Sequence, residues 1–159
     1  MTRLDDIIAR HGSAIARVAA TYEADPTLRQ DLVQDLLLAI HLSLPQLKDP
    51  ALTAPFIFRI AHNRCVTHVV QSSRRRRLTQ SLPEPDPSPS PEDELLQSER
   101  NHRLAAALRR LPLAYRQVLS LALEGMSYGE IAAVLDISVS NAGVRLTRGK
   151  TMLKDLLDG

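Results

Sequence analysis

Apolar side chains recur every three or four positions along most of the first half of the chain. This spacing predicts amphipathic helices over residues 4–22, 28–44 and about 55–71. Asp25 followed by Pro26 is typical of a helix start, because aspartate caps free amide groups and proline fits the first turn. Three such helices are enough to form a small bundle.

The segment 82–93, LPEPDPSPSPED, interrupts the helical pattern. Its prolines stand at every second position, and each one removes a backbone donor and disfavours helix in the residue before it. We therefore predict an extended, flexible linker of polyproline type. This linker, at 79–93, divides the chain into a first domain at 1–78 and a second at 94–159.

The second domain also shows a helical pattern. One helix is predicted from about Leu95 to just before Pro112, and the next from Pro112 to a glycine cap at Gly125. The chain has few aromatic residues and no tryptophan, so Leu, Ile, Val and Ala must fill the interior. That composition favours helices, and the predicted fold class is all-α with two small helical domains.

The most informative pattern lies at 127–148, SYGEIAAVLDISVSNAGVRLTR. Ser127 and Glu130 form an S-x-x-E capping box, which starts a short helix. A three-residue turn at 136–138 follows, and its last residue, Ser138, can cap a second helix. The sequence therefore predicts a helix-turn-helix. The inner face of the second helix is expected to consist of Val139, Ala142, Leu146 and Leu153.

In a helix-turn-helix, the second helix enters the major groove of DNA with its first half against the base edges. Asparagine can bond an adenine edge and arginine a guanine edge. Lys150 and Lys154 lie further along and are expected to meet phosphate or solvent. The alternative is a helical hairpin with a solvated polar face. The outward residues that would read DNA are Ser140, Asn141, Val144, Arg145 and Arg148.

Charge and composition narrow the function class. Both predicted domains are basic and the linker is acidic, although the net charge is only +2, and basic domains favour a nucleic-acid partner. No apolar run reaches the ~18 residues that span a bilayer, and the N-terminus does not follow the pattern of a signal peptide. A single cysteine excludes an internal disulfide and fits a reducing compartment such as the cytoplasm.

Catalysis has little support in the sequence. His62, Cys65 and His68 suggest a metal site or a nucleophile, but the last is about 240° around a helix from the first, so the three cannot converge. No acidic residue flanks them to orient an imidazole, and there is no glycine-rich phosphate loop. Neither an enzyme activity nor a cofactor or metal site is predicted.

The motifs occur in an order that resembles one family. The chain has D-L-V-Q-D, R-I-A-x-N, four arginines, the linker, and then L-P, R-Q-V-L, G-M-S-Y-x-E-I-A and I-S-V. This order, over 31–47, 56–77 and 111–150, resembles the extracytoplasmic-function (ECF) class of bacterial RNA polymerase sigma factors with regions 2 and 4 only. The resemblance implies a cytoplasmic transcription initiation factor. Its implied partners are core RNA polymerase, promoter DNA and an anti-sigma factor.

The resemblance also implies binding surfaces in the first domain. The segment 31–36 would bind the coiled coil of the largest polymerase subunit, and the loop 46–54, which is short of aromatic side chains, would capture a flipped base of the −10 element. The polymerase-binding residues would be Asp31, Leu32, Gln34, Asp35 and Leu36, of which the three polar ones share a helix face. Those facing −10 DNA or its phosphates would be Asn63, Arg74, Arg75, Arg76 and Arg77.

The chain departs from the family at a few positions. Gly143 and Val144 stand where the family commonly has a basic residue and a serine, and Thr67 and Phe56 replace Asp and Trp. Within a helix, Gly143 lowers the stability by about 1 kcal/mol relative to alanine. Together with Gly149, it suggests that the predicted DNA-reading helix becomes fully ordered only when DNA or a partner binds. Two other hypotheses stay open: a stand-alone helix-turn-helix regulator, and a sigma-like scaffold that holds an anti-sigma factor without reading DNA.

Overall fold

The computed structural model describes residues 3–79 and 99–159. Within them, two helical bundles pack against each other, which confirms the predicted all-α fold. The helix start predicted near Leu95 and the linker predicted at 79–93, apart from Thr79 at the end of α3, lie outside the described residues. The first bundle contains α1 (Arg3–Ala20), α2 (Pro26–Ser43) and α3 (Thr53–Thr79), with short 3-10 turns at Leu44–Gln46 and Pro50–Leu52. The second contains α4 (Glu99–Arg109), α5 (Leu113–Leu123), α6 (Tyr128–Leu135) and α7 (Val139–Asp158).

Helix α3 is longer than the sequence pattern predicts. It begins at Thr53, so that Pro55 lies within its first turn, and it continues through the four arginines to Thr79 instead of ending near residue 71. The extension has a simple cause. Arginine and leucine are good helix formers, and no glycine or proline interrupts 71–79.

The helix-turn-helix forms as predicted. In the capping box, Oγ of Ser127 accepts a hydrogen bond from the amide of Glu130 at 3.2 Å, and Oε1 of Glu130 accepts one from the amide of Ser127 at 3.0 Å. Asp136 ends α6 in the left-handed conformation, with a φ of 56°. Ser138 then caps α7, because its Oγ accepts from the amide of Asn141 at 3.0 Å. These caps fix the two helix ends on either side of a short turn.

The inner face of α7 differs from the prediction at one position. Ala142 and Leu146 are buried where α7 packs on α5 and α6, and Leu153 packs against the same core. Val139, by contrast, is 54% exposed, so its assignment to the inner face is wrong. Val139 is the first residue of α7, directly after the capping turn, and the helix reaches the core only from Ala142 onward.

The two glycines of α7 have different surroundings. A Cβ atom on Gly143 would lie 3.6 Å from the ring of Tyr128, which is an ordinary contact. A Cβ atom on Gly149 would lie 3.1 Å from Cδ1 of Leu119 and 3.4 Å from Cβ of Tyr115. Gly149 is also buried, so it allows α7 to approach α5 closely rather than loosening the helix.

These surroundings predict opposite effects of alanine. We expect Gly143→Ala to raise the free energy of unfolding by about 0.5–1 kcal/mol, because alanine is the better helix former. Gly149→Ala has the same helix gain, but overpacking against Leu119 costs roughly 1–3 kcal/mol and should outweigh it. Urea unfolding followed by circular dichroism measures both. Equal increases in stability would contradict close packing at Gly149.

Charged side chains join the two bundles. Arg17 of α1 donates from Nε and Nη2 to the carboxylate of Glu124, just after α5, at 2.8 and 2.7 Å. The hydrogen bond to Glu124 raises the pKa of Arg17. Arg109, the last residue of α4, donates from Nη1 to the carbonyl of Ala20 at 2.6 Å. Arginines from both bundles therefore bind the facing bundle.

Arg116 and Tyr22 make a buried polar contact across the same interface. The guanidinium carbon of Arg116 lies 5.4 Å from the centre of the Tyr22 ring, and its Nη2 donates to the carbonyls of Arg109 and Leu111 at 2.8 and 3.0 Å. Tyr22 Oη lies 2.8 Å from Nδ1 of His62. Burial lowers the pKa of Arg116 and raises that of Tyr22. The two bundles therefore share a polar cluster.

The burial of His62 predicts a loss of stability at low pH. Burial lowers the pKa of His62 from 6.5 to about 4. Between about pH 6.5 and pH 4, His62 is protonated in the unfolded chain but not in the folded chain. The free energy of unfolding therefore falls as the pH is lowered through this range. We expect roughly 2 kcal/mol to be lost from this residue between pH 7.5 and pH 5.

Urea unfolding of the wild type and of His62→Gln at both pH values measures this contribution. Glutamine keeps a polar group beside Tyr22 but does not titrate, so most of the pH difference should disappear in the variant. An unchanged difference would show that other groups cause it.

Candidate functional site

The outer face of α7 carries the residues predicted to read DNA. Ser140, Asn141, Val144 and Arg148 are exposed, and Arg145 is half-buried. The opposite face of α7 packs on α5 and α6, so these side chains point toward solvent. The structure thus brings the predicted residues together in one strip along the first half of the helix.

Tyr128 belongs to this surface as well, although it is not among the residues predicted from the sequence to read DNA. It is the first residue of α6 and is 49% exposed, and its ring lies against α7 at Gly143. The hydroxyl of Thr147 donates to the carbonyl of Gly143 at 3.1 Å. The glycine is the signal that could have indicated this contact, because a position without a side chain leaves room for a neighbouring ring.

The outer face of α2 carries the three polar residues predicted to bind polymerase. Asp31, Gln34 and Asp35 are all exposed. Leu32 and Leu36 are 3% and 0% exposed, so the prediction that they belong to this surface is wrong. Their side chains lie on the opposite side of α2 and form part of the core of the first bundle.

The polar face of α2 continues into an apolar one. Leu38 and Leu42 follow Asp35 at helical spacing and are 56% and 67% exposed. Nothing in the sequence marks these two leucines as surface residues, because their spacing is that of ordinary core leucines. Together the five side chains define the α2 surface: Asp31, Gln34, Asp35, Leu38 and Leu42.

The surface predicted to face the −10 element lies on α3. Asn63 is exposed, and its carbonyl accepts a hydrogen bond from the hydroxyl of Thr67 at 3.1 Å. Arg74, Arg75 and Arg77 are exposed in the last turns of α3, whereas the side chain of Arg76 lies outside the described part of the chain.

The loop at 46–54 is built from short-range hydrogen bonds. Oδ1 of Asp49 accepts from the amide of Ala51 at 3.0 Å, and the hydroxyl of Thr53 donates to the carbonyl of Pro50 at 2.6 Å. Leu52 is 55% exposed. The loop therefore offers a partner a mixed surface, with the exposed Leu52 beside the exposed polar residues Gln46, Lys48 and Asp49.

The titratable residues of α3 have separate partners. His62 contacts Tyr22, and burial raises the pKa of the Cys65 thiol to about 12. Nε2 of His68 lies 2.7 Å from Oε1 of Glu23, so an acidic residue does orient this imidazole, contrary to the expectation from the neighbouring sequence. Among the described residues, no group of three His, Cys, Asp or Glu side chains is placed to hold a metal ion.

In the ranges 3–79 and 99–159, no helix combines the length and the apolar character needed to cross a bilayer.

Two family models match the chain. Residues 7–75 match Sigma-70 region 2, and residues 101–153 match Sigma-70, region 4. SigZ, an RNA polymerase sigma factor of Bacillus subtilis, is 31% identical over 137 residues, which cover 85% of this chain and 76% of SigZ. The ECF RNA polymerase sigma factor SigE of Mycolicibacterium smegmatis is 29% identical over 163 residues, which cover 99% of this chain and 62% of SigE.

A solved structure is similar as well. The RNA polymerase sigma factor CnrH of Cupriavidus metallidurans is 30% identical over 96% of this chain and 85% of CnrH. The structure of CnrH in complex with the cytosolic domain of CnrY matches this chain with a TM-score of 0.70 and 29% identity, over 98% of this chain and 87% of that chain.

Together, the two matched regions define a transcription initiation factor that binds RNA polymerase and promoter DNA. The chain belongs to the sigma-70 family of RNA polymerase sigma factors, in the extracytoplasmic-function group with regions 2 and 4. The prediction from the motif order is confirmed, in preference to a stand-alone regulator or a scaffold. The domain boundaries stay predictions, and so do the individual site residues other than the buried Leu32 and Leu36.

Proposed function

We propose that this sigma factor reads the −35 element of its promoters with α7 and contacts the −10 element with α3, while α2 binds core RNA polymerase. The exposed strip along α7 carries this proposal. Asn141 and Arg148 lie two turns apart on its outer face, about 10 Å along the helix, which is close to the spacing of three base pairs. These are the residue types that bond adenine and guanine edges in the major groove.

The proposed role of α3 is to position the backbone of the −10 DNA and to contact its bases. The exposed arginines at 74, 75 and 77 lie at one end of the helix, where they can neutralise phosphates, and Asn63 lies three to four turns away from them. Phosphate neutralisation releases counterions, so binding to −10 DNA should weaken steeply with salt.

On α2, the proposed partner is the coiled coil of the largest polymerase subunit. The acidic residues Asp31 and Asp35 would meet basic side chains, and Leu38 and Leu42 would supply apolar area. Protein interfaces commonly combine an apolar centre with a polar rim, and the α2 surface offers both. The polymerase then supplies the chemistry, and this chain acts in the cytoplasm as a binding factor without catalysis of its own.

We also propose an anti-sigma factor as a regulatory partner, because the similar CnrH structure contains the cytosolic domain of CnrY. Between α1 and the α4–α5 pair lies a cleft of about 450 Å³, where a helix of such a partner could bury its apolar face. Its apolar lining consists of Ala16, Ala20, Leu104, Ala105, Leu108 and Leu123.

Selection of DNA from a promoter library tests the DNA assignment. Core polymerase with this chain is incubated with DNA whose −35 and −10 elements are randomised, and the bound DNA is sequenced. With Arg148→Ala, we expect the preference at one −35 position to disappear, at a cost of about 1–3 kcal/mol for the preferred base. The control Lys154→Ala, further along α7, should weaken all sequences about equally. An intact −35 preference in Arg148→Ala and in Asn141→Ala would contradict reading by α7.

A further inference from the structure

Gly143 opens a depression in the exposed face of α7. A Cβ atom at Gly143 would lie 3.6 Å from Cε2 and 3.7 Å from Cδ2 of Tyr128, so the ring lies close over the helix at this point. The depression is open to solvent and has a volume of about 430 Å³. We call it the Gly143 depression, and it is lined by Tyr128, Ser140, Gly143, Val144, Thr147 and Arg148.

The lining is apolar over much of its surface. Tyr128 and Val144 are 49% and 45% exposed, so both present apolar area to solvent in the free protein. The hydroxyl of Thr147 is already used within the helix, because it donates to the carbonyl of Gly143 at 3.1 Å. Arg148 is exposed beside this apolar area and adds a positive charge. The depression therefore suits a small apolar group carried by a negatively charged molecule.

We propose that the Gly143 depression accepts the C5-methyl group of a thymine in the −35 element. The thymine methyl is the apolar group that base edges present in the major groove, and apolar side chains contact it there. Because Gly143 has no side chain, the ring of Tyr128 lies close to α7. Tyr128 and Val144 can then enclose the methyl group from two sides. The inference rests on the proposed function, because it requires α7 to be the reading helix.

The location of the depression favours DNA over an apolar peptide as its occupant. It lies within the strip that begins at Ser140 and Asn141, and Arg148 forms one of its walls. Lys150 continues the positive charge along the same helix. Phosphates on both sides of the major groove match this charge. The −35 element should therefore contain a thymine close to the base that Arg148 contacts.

Replacement of thymine by uracil tests the proposal directly. Uracil lacks the C5-methyl group but keeps every hydrogen bond of the base pair. The duplex is the promoter selected by the complete complex of core polymerase and full chain, and each −35 thymine is replaced in turn. At one or two positions we expect binding to weaken about fourfold, the factor that corresponds to one methyl group taken out of water. As a control, a duplex with 5-methylcytosine in place of cytosine at a neighbouring position should bind with the same affinity as the unmodified duplex.

Variants of the depression show whether it is the place where the methyl group binds. In Gly143→Lys the new side chain fills the depression, so thymine and uracil should bind equally well. Val144→Ala should reduce the difference, since part of the wall is lost. Lys150→Ala is the control outside the depression and should weaken both duplexes while their ratio stays about fourfold. Circular dichroism checks the folding of each variant.

The outcomes separate this inference from the proposed function. A selected −35 element without thymine, equal binding of thymine and uracil by the wild type, or a thymine preference that persists in Gly143→Lys would each overturn the inference while α7 still reads DNA. Failure of the complex to select any −35 sequence would overturn the proposed function itself, and the inference with it.

Discussion

Charge reversal of Asp31 and Asp35 to lysine is expected to abolish stable binding to core RNA polymerase. Both carboxylates are exposed on the outer face of α2. Like charges brought together in an interface cost several kcal/mol, so the double reversal should weaken binding by about 100-fold or more. Co-elution in size exclusion gives the first result, and a titration with fluorescently labelled protein gives the affinity.

The matched control makes two aspartate-to-lysine changes at positions outside α2. Asp155→Lys with Asp158→Lys alters the net charge equally, but both positions are exposed near the end of α7. This variant should bind polymerase as the wild type does. Loss of binding in both double variants would show a general charge effect, and retained binding in the α2 variant would contradict the proposed role of that surface.

Locking the two bundles together is expected to stop promoter-directed transcription. In the structure, α3 packs on α6, and Arg59 donates from Nη2 to the carbonyl of Ala133 at 2.6 Å. The −10 and −35 elements are about 25 base pairs apart, or roughly 85 Å at ~3.4 Å per base pair. If α3 contacts the −10 element and α7 reads the −35 element, as proposed, two bundles packed as in this structure cannot reach both elements. On this proposal the bundles must separate, and the 19 residues at 80–98 that connect them have a maximum contour length of about 65 Å.

The lock consists of Arg17→Cys and Glu124→Cys, joined by a bifunctional thiosulfonate reagent that reductant removes. The native side chains at these positions meet at 2.7 Å. Cys65 is buried and burial raises its thiol pKa to about 12, so it should react little. We expect the linked protein to give about 1% or less of the transcript of the unlinked protein, because the link holds almost all molecules in the state with packed bundles. Reduction removes the link and should restore transcription. Full transcription by the linked protein would contradict the requirement for separation.

Local signals explain what could be predicted from the sequence. The Ser127–Glu130 capping box, the Asp25–Pro26 start and the cap at Ser138 act between residues a few positions apart, so a pattern of residue types is enough to recognise them. Helix period likewise placed Asp31 and Arg148 on outer faces. The end of α3 was harder to predict, because an arginine run is compatible with both helix and coil.

Long-range contacts could not be predicted in the same way. The Arg17–Glu124 pair joins residues 107 positions apart, and the His68–Glu23 pair joins residues 45 apart. Nothing in the neighbouring sequence marks such partners. The inclusion of Leu32 in the polymerase surface was wrong for a related reason, since a family motif contains core residues as well as surface residues.

The most direct test of the central claim is the mapping of transcript starts on bacterial genomic DNA, by core polymerase alone and by core polymerase with this chain. We expect a new set of discrete starts that appears only with the chain, shares −35 and −10 sequences, and is lost with the Asp31/Asp35 reversal. The same starts with and without the chain would contradict its assignment as a promoter-selecting sigma factor.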